Sequence, residues 1–164
     1  SLGNYIKANP TAVSTLDMGV CKVTAIPDEF LFTTNGVTSP KVTISTLVLP
    51  KGTTSIGKNA FYNLSITSLT LPETLETIGE AAFRYGYLTD ITIPASVTSI
   101  GKYAFQYQNK LASVTFKSPT PVYYQTASFP SDATIYVPAG SKAAYVEQWS
   151  SSSSVDWNNK IQEY

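Results

Sequence analysis

Three short patterns could carry chemistry if the fold around them supported it. Gly52-x4-Gly57-Lys58 has the opening of a phosphate-binding loop, in which backbone N–H groups and a lysine cradle phosphates. That loop needs Ser or Thr next, to hold magnesium, and the next residue is Asn59. Ser55-x-x-Lys58 and Ser99-x-x-Lys102 both have the spacing of a serine nucleophile with its lysine. Two such pairs in equivalent places argue for a structural repeat rather than a catalytic centre. Glu73, Glu76, Glu80 and Asp90 form the acidic cluster, and glycoside hydrolysis needs two carboxylates facing each other across a cleft. No spacing among these four imposes that, so they read as solubilising charges on an exposed wall. Asn63-Leu64-Ser65 is a formal glycosylation sequon, a short pattern frequent by chance.

Composition narrows the chemistry further. The 164 residues contain no His, which removes imidazole relays, Ser-His-Asp triads and His-containing zinc sites. Cys21 is the single cysteine, so an intrachain disulfide and a Cys-rich metal site are excluded, and a small buried hydrophobe is its expected role. No cofactor is expected. Eleven basic residues, ten of them Lys, balance eleven acidic ones, which leaves no basic footprint for nucleic acid. Only 13% of residues are charged, while 21 are Thr and 19 Ser, so hydroxyls must do much of the surface hydrogen bonding. Apolar runs extend for a few residues, far short of the roughly 18 that a membrane helix needs, so no transmembrane segment is expected. The chain starts at Ser1 without Met, which reads as a processed product whose signal or anchor segment is absent from this chain.

The elements that must position these residues recur. Pro50, Pro72 and Pro94 are 22 residues apart, as are Ile56-Gly57, Ile78-Gly79 and Ile100-Gly101, and as are Ala60-Phe61, Ala82-Phe83 and Ala104-Phe105. Ile66-x-x-Leu69-x-Leu71 and Leu88-x-x-Ile91-x-Ile93 keep the same phase, and Leu111-x-x-Val114-x-Phe116 is offset to 23 by one extra residue within 106–110. Each copy begins with apolar–polar alternation, a short strand with Leu69 and Leu71, or Ile91 and Ile93, facing inward. Proline, with no N–H to donate, ends it. The second half, as in Val97-x-x-Ile100-Gly101-x-x-Ala104-Phe105, sends apolar residues inward from the opposite wall. Gly101 is expected to supply a positive-φ turn, and Ala104 a close backbone approach. One copy cannot bury its apolar side alone, so the copies must stack into a solenoid with one parallel strand per repeat, about 4.8 Å apart.

These residues resemble the BspA-like leucine-rich repeat, L-x-x-I-x-I-P-x-x-V-x-x-I-G-x-x-A-F. Residues 44–61, 66–83 and 88–105 match it almost position for position, with Thr53 in the apolar slot held elsewhere by Leu75 and Val97. The resemblance implies a mainly β repeat fold, a solenoid with a parallel strand ladder and a short helix-containing C-terminal cap, in one domain spanning 1–164. Residues 1–22 are an N-terminal cap or a stub. Residues 23–43 are a degenerate first repeat, with Asn35-Gly36 and Ser39-Pro40 in an inserted loop; 44–118 are the core repeats and 119–164 the cap. Within the cap, Ala133–Pro138 reads as a strand, 140–149 as a short helix with Ser141 as N-cap, and Ser150–Ser154 as a flexible link. Tyr145, Trp149, and Trp157 or Ile161, should close the end of the core around Ile135 and Val137. Phe61, Phe83 and Phe105 should form one buried stack with Ile56, Ile78 and Ile100.

The function that the resemblance implies is non-enzymatic: a binding or adhesion module of a secreted or cell-surface bacterial protein, monomeric, with a protein or other surface ligand. The alternatives are a structural spacer of a larger surface protein, or carbohydrate binding through exposed tyrosines. The recognition face of leucine-rich repeats is the outward side of the strand ladder. Here its columns are Thr46, Ser68, Asp90, Ser113, Thr134 and Val48, Thr70, Thr92, Thr115, Tyr136. Threonine there is equally explained as a good strand former facing solvent. The second candidate is the aromatic set Tyr62, Tyr85, Tyr87, Tyr103 and Tyr107, offering rigid contact area with polar tips, or else packing under neighbouring turns.

Overall fold

The computed structural model describes residues 13–31, 43–125, 127–151 and 155–164. In chain order the strands are β1 (Val13–Asp17), β2 (Ala25–Ile26), β3 (Thr43–Val48), β4 (Ser55–Ile56), β5 (Ser65–Thr70), β6 (Thr77–Ile78), β7 (Asp90–Ile93), β8 (Ser99–Ile100), β9 (Ser113–Phe116), β10 (Tyr123–Tyr124), β11 (Thr134–Val137) and β12 (Ile161–Glu163). The helices are α1 (Lys142–Ser150) and α2 (Trp157–Lys160). All strand pairing among them is parallel, as a stack of like repeats requires.

The alternating segments form the long-strand wall, and their phase holds. Leu71, Ile91, Ile93, Val114 and Phe116 are buried, and Leu69 is half-buried against the same core. This wall is two sheets, ordered β1-β3-β5 and β7-β9-β11-β12; β5 and β7 adjoin without a ladder between them. The opposite wall is built from two-residue strands in the order β10-β8-β6-β4-β2, each rung placing one residue inward: Ile26, Ile56, Ile78, Ile100 and Tyr124. β1, β10 and β12 are strands that the repeat pattern does not reveal. β1 lies within 1–22 and is in register with β3, pairing Thr15 with Thr46 and Leu16 with Leu47.

Between the walls, the turn edge forms a third ladder. Phe61 N–H donates to Ala82 O (2.8 Å), Phe83 N–H to Ala104 O (2.8 Å) and Phe105 N–H to Ser128 O (2.7 Å), each reaching the following repeat. The expected role of Gly101 is corrected here. Its φ is not positive, and neither is that of Gly57 or Gly79; the left-handed residues are Asn59, Ala81 and Tyr103, two positions later, and Asn63, Tyr85 and Tyr107, four further on. The glycines serve close stacking instead. A Cβ on Gly79 would lie 2.6 Å from the carbonyl carbon of Gly57, and one on Gly101 2.6 Å from Glu80 N.

The hydroxyl-rich composition has a structural use. Thr74 Oγ1 donates to Lys51 O and Thr53 O (both 2.8 Å), Ser96 Oγ to Leu75 O (2.7 Å) and Thr67 Oγ1 to Ser45 O (2.8 Å). Each links one repeat to the carbonyl groups of the one before. Gly52, Thr74 and Ser96 share a repeat slot, so the glycine that imitates a phosphate loop stands where later copies place a linking hydroxyl.

The aromatic stack is continuous. Ring centroids are 5.2 Å apart for Phe61–Phe83, 5.3 Å for Phe83–Phe105 and 5.4 Å for Phe105–Phe129, all nearly parallel and buried. At the first turn Leu31 donates to Ala60 O and takes the buried slot, while Phe30 meets Phe61 edge-on at 6.1 Å. At the other end Tyr145, Trp149, Trp157 and Ile161 are buried. Trp149 packs on Phe116 (5.4 Å) and Tyr124 (4.8 Å), and its Nε1 donates to Val122 O (3.0 Å). Tyr145 OH donates to Ser118 O (2.9 Å), and burial pushes that hydroxyl well above the ordinary tyrosine range. Ile161 pairs with Ile135 in the ladder.

Two further expectations need correction. Ser141 holds the N-cap position of α1, but its hydroxyl donates back to Pro138 O and makes no cap. The cap comes from β12: Glu163 Oε1 accepts from Lys142 N–H at 2.8 Å, and hydrogen bonds from Lys142 and Gly140 hold its carboxyl below the usual range. Cys21 is exposed rather than buried, in the turn after β1 where Val20 is also exposed. The expected loop at Asn35-Gly36 and Ser39-Pro40 lies outside the described residues, as does most of the Ser150–Ser154 link.

Candidate functional site

The long-strand wall brings the two predicted columns together as two in-register rows. Thr46 faces Ser68 across β3 and β5, and Val48 faces Thr70. Asp90, Ser113 and Thr134 align across β7, β9 and β11, as do Thr92, Thr115 and Tyr136, with Tyr136 paired further to Gln162. The rows are interrupted between β5 and β7. There a groove of 490 Å³ opens, lined by Ser68, Thr70, Asp90 and Thr92 together with Glu73 and Lys117. Four of the residues expected to bind thus share one depression, and Thr46, Ser113, Thr115 and Tyr136 flank it along the ladder.

The groove is polar and internally ordered. Lys117 Nζ lies 2.6 Å from Glu73 Oε1, and Thr89 Oγ1 donates to Asp90 Oδ2 at 2.8 Å. Exposed hydroxyls, two carboxylates and one ammonium suit hydrogen bonding to a polar partner surface. The acidic cluster does not assemble as a unit. Glu73 and Asp90 line this groove, whereas Glu80 pairs with Lys58 at 3.2 Å on another side. Lys117 was not singled out by the repeat pattern, because it follows the strand at a position where other copies carry proline.

On the turn edge the tyrosines engage one another. Tyr62 meets Tyr85 edge-on at 5.5 Å, and Tyr85 stacks on Tyr107 at 4.8 Å. Burial, and then Tyr85 beside it, raise the Tyr62 hydroxyl above the ordinary value. The guanidinium of Arg84 lies over the rings of Tyr85 (4.8 Å), Tyr103 (5.0 Å) and Tyr107 (5.2 Å), and Lys110 lies over Tyr87 at 6.0 Å. Most of this aromatic area is therefore spent on internal packing. Tyr107, 47% exposed, is the large exposed ring of the set.

The extra residue within 106–110 has a structural cause. Gln108 is buried and substitutes for backbone: its Oε1 accepts from Leu88 N–H (3.0 Å) and its Nε2 donates to Phe83 O. Gly86 leaves the room, since a Cβ there would overlap the Gln108 amide. The sequon is poorly placed, with Ser65 buried. Among the described residues no group of three or more His, Cys, Asp or Glu could hold a metal ion, and no helix is long and apolar enough to cross a membrane.

Curated proteins include no match to this sequence. Among solved structures, a leucine-rich repeat protein from Bacteroides ovatus is similar at 14% identity and a TM-score of 0.29. The match covers 75% of this chain and 47% of that one, so this chain spans about half its length. The family described as the BspA-type leucine-rich repeat region matches residues 39–138 as six copies. That span covers every rung from β3 to β11, and with it the glycine stacking, the phenylalanine column and the parallel ladders that the repeat dictates. The chain belongs to the BspA-type leucine-rich repeat family.

Proposed function

We propose that this chain is a non-enzymatic binding module of a secreted or cell-surface bacterial protein, contacting a protein ligand through the groove on its long-strand wall. The family supports an interaction or structural module, and adhesion at a cell surface is the finer reading offered here. The observation that carries it is the convergence of Ser68, Thr70, Asp90 and Thr92 on one polar groove, flanked by Thr46, Ser113, Thr115 and Tyr136. An open polar groove on a rigid repeat scaffold is how these folds present contact area without moving parts. The monomer is the functional unit in this reading.

The test is a binding screen of the isolated domain against extracellular-matrix and cell-surface proteins, repeated with Thr70→Arg and Thr92→Arg. The reading predicts at least one protein ligand, lost in both variants while their melting temperatures stay near the parent value. A ligand retained by both variants sinks the groove assignment. A screen without hits favours a structural spacer.

A further inference from the structure

The groove on the long-strand wall lies where the sheet is interrupted, and the edges of that gap carry their own chemistry. Around β7, β9 and β11 the main chain of each strand meets the next. Thr89 O accepts from Ala112 N–H (2.9 Å), Ile93 O from Lys117 N–H (3.0 Å) and Ala112 O from Thr134 N–H (2.9 Å). Thr67 holds the slot of Thr89 one repeat earlier, so its carbonyl faces β7, and alternation along the strand turns Leu69 the same way. The same alternation turns the N–H and C=O of Asp90 and Thr92 away from β9 and toward β5. No ladder joins β5 to β7, so these four residues present two strand edges to each other across the groove that all four line. Thr67, Asp90 and Thr92 are exposed and Leu69 is half-buried, so all four can be reached from solvent.

Three features select the occupant. A strand edge offers N–H and C=O groups at strand spacing, and an extended main chain answers both kinds at once. Second, the gap uncovers an apolar residue: Leu47 and Ile91, the counterparts of Leu69 in β3 and β7, are 1% and 2% exposed, whereas Leu69 is half-buried. An apolar side chain laid into the gap would cover it. Third, Glu73 and Asp90 set two carboxylates against one ammonium. Lys117 is committed to Glu73, and Asp90 Oδ2 takes the hydroxyl of Thr89, which leaves room for a cation beside Asp90. The gap is short. Tyr87 N–H donates to Ile66 O (3.3 Å) at its start, and Ser96 Oγ to Leu75 O beyond its end, so a guest enters from the open face for a few residues. A glycan brings hydroxyls, but neither an amide main chain nor a cation.

We propose that the groove takes a short extended segment of its partner protein by strand addition, with alternating apolar and basic side chains. Its main chain bonds to the edges of β5 and β7, an apolar side chain covers Leu69, and a basic one stands beside Asp90. This rests on the reading that the groove holds a protein ligand, and adds how that ligand is held.

Amide hydrogen exchange of the intact chain, followed by NMR, tests it. The probes are a capped hexapeptide of alternating Lys and Val, its Glu–Val counterpart, the Lys–Val peptide N-methylated at its two central residues, and cellobiose. In the free chain the amides of Leu69, Asp90 and Thr92 should exchange fast for residues within strands. The Lys–Val peptide, titrated into the millimolar range, should saturate and slow all three by about tenfold or more. N-methylation removes main-chain donors and should weaken binding about tenfold, the scale of one or two lost hydrogen bonds. Asp90→Asn should weaken it by about two- to fivefold, as for an exposed ion pair, with the melting temperature unchanged. The Glu–Val peptide and cellobiose should leave the three amides fast. Failure of the Lys–Val peptide to saturate overturns the proposal, as does saturation that leaves the amides fast or survives N-methylation. Protection by cellobiose in its place does the same. A protein ligand that is lost in Thr70→Arg and Thr92→Arg, yet leaves these amides fast in the parent, overturns strand addition while the groove reading stands.

Discussion

The middle repeats and the C-terminal cap solve the same problem by different means. In the repeats, each buried group meets its own kind: Phe83 lies between Phe61 and Phe105, and the Gly79 backbone lies against that of Gly57. Every rung is both supported and supporting, and the contacts are set by translation along the ladder. The cap receives support from one side only. It replaces like-on-like stacking with unlike partners at steep angles, Trp149 on Phe116 and Trp157 on Trp149, both at 70°. Its side-chain hydrogen bonds are single ones, where those of the repeats recur from rung to rung as the Thr74 and Ser96 links do: Trp149 to Val122 O, Tyr145 to Ser118 O, and Glu163 to the start of α1. A repeating interior is held by contacts that each rung makes again, whereas its end is held by contacts made once. An uncovered rung would leave apolar side chains and strand edges open to further pairing.

That contrast can be broken at either end. The largest effect is expected from deleting residues 141–164, which removes Tyr145, Trp149, Trp157 and β12 together. The remainder should aggregate or lose cooperative unfolding; a truncated chain that stays monomeric with an unchanged melting temperature would show that the cap is ornamental. Within the repeats, Phe83→Ala removes a ring from the centre of the column and should cost about 3–5 kcal/mol. Chemical denaturation measures it, and a loss under about 1 kcal/mol would mean that the column closes up as ordinary cores do not. Gly79→Ala should cost about 1–3 kcal/mol through overlap with the Gly57 backbone. If the positive-φ role expected of Gly101 were correct and shared by its counterpart Gly79, Gly79→Asn would be tolerated better than Gly79→Ala, and stacking predicts the opposite order.

The smallest effect concerns Glu163. Its folded carboxyl titrates below its unfolded value near about pH 4.3, so its contribution is present above that value and is lost as pH falls through the folded one. Glu163→Gln should therefore melt slightly below the parent at neutral pH and together with it in strong acid. An equal gap at both pH values would show that the carboxylate charge is not what caps α1.

What could be read from the sequence follows the same division. Strand phase, the buried Phe and Ile columns and the two rows of the long-strand wall were legible because a 22-residue period repeats the same constraint three times. Gly57, Gly79 and Gly101 were visible as fixed positions, but composition does not say whether a glycine serves φ or proximity; only the neighbouring rung decides. The cap was legible as a dense aromatic segment, yet its partners were not, because Phe116 and Tyr124 put rings in slots that the neighbouring copies fill with Ile93 and Ile100. Ser141 looked like a cap because local pattern favours it, while the actual acceptor, Glu163, is supplied by a strand 21 residues away. Cys21 was misjudged for a related reason: no repeat covers the turn after β1. The groove between β5 and β7 was foreshadowed only through its residues, since both strands keep the repeat pattern and nothing in it marks an interrupted ladder.

The claim beneath all of this is that repeats and cap form one cooperative unit. Native-state hydrogen exchange tests it directly, comparing the amides of Phe61, Phe83 and Phe105 with the indole N–H of Trp149 bonded to Val122 O. One unit predicts that all four exchange only through the same global opening, with equal free energies and equal sensitivity to denaturant. An indole that exchanges through a much cheaper opening, while the three amides stay protected, would contradict the account and make the cap a separate, loosely docked element.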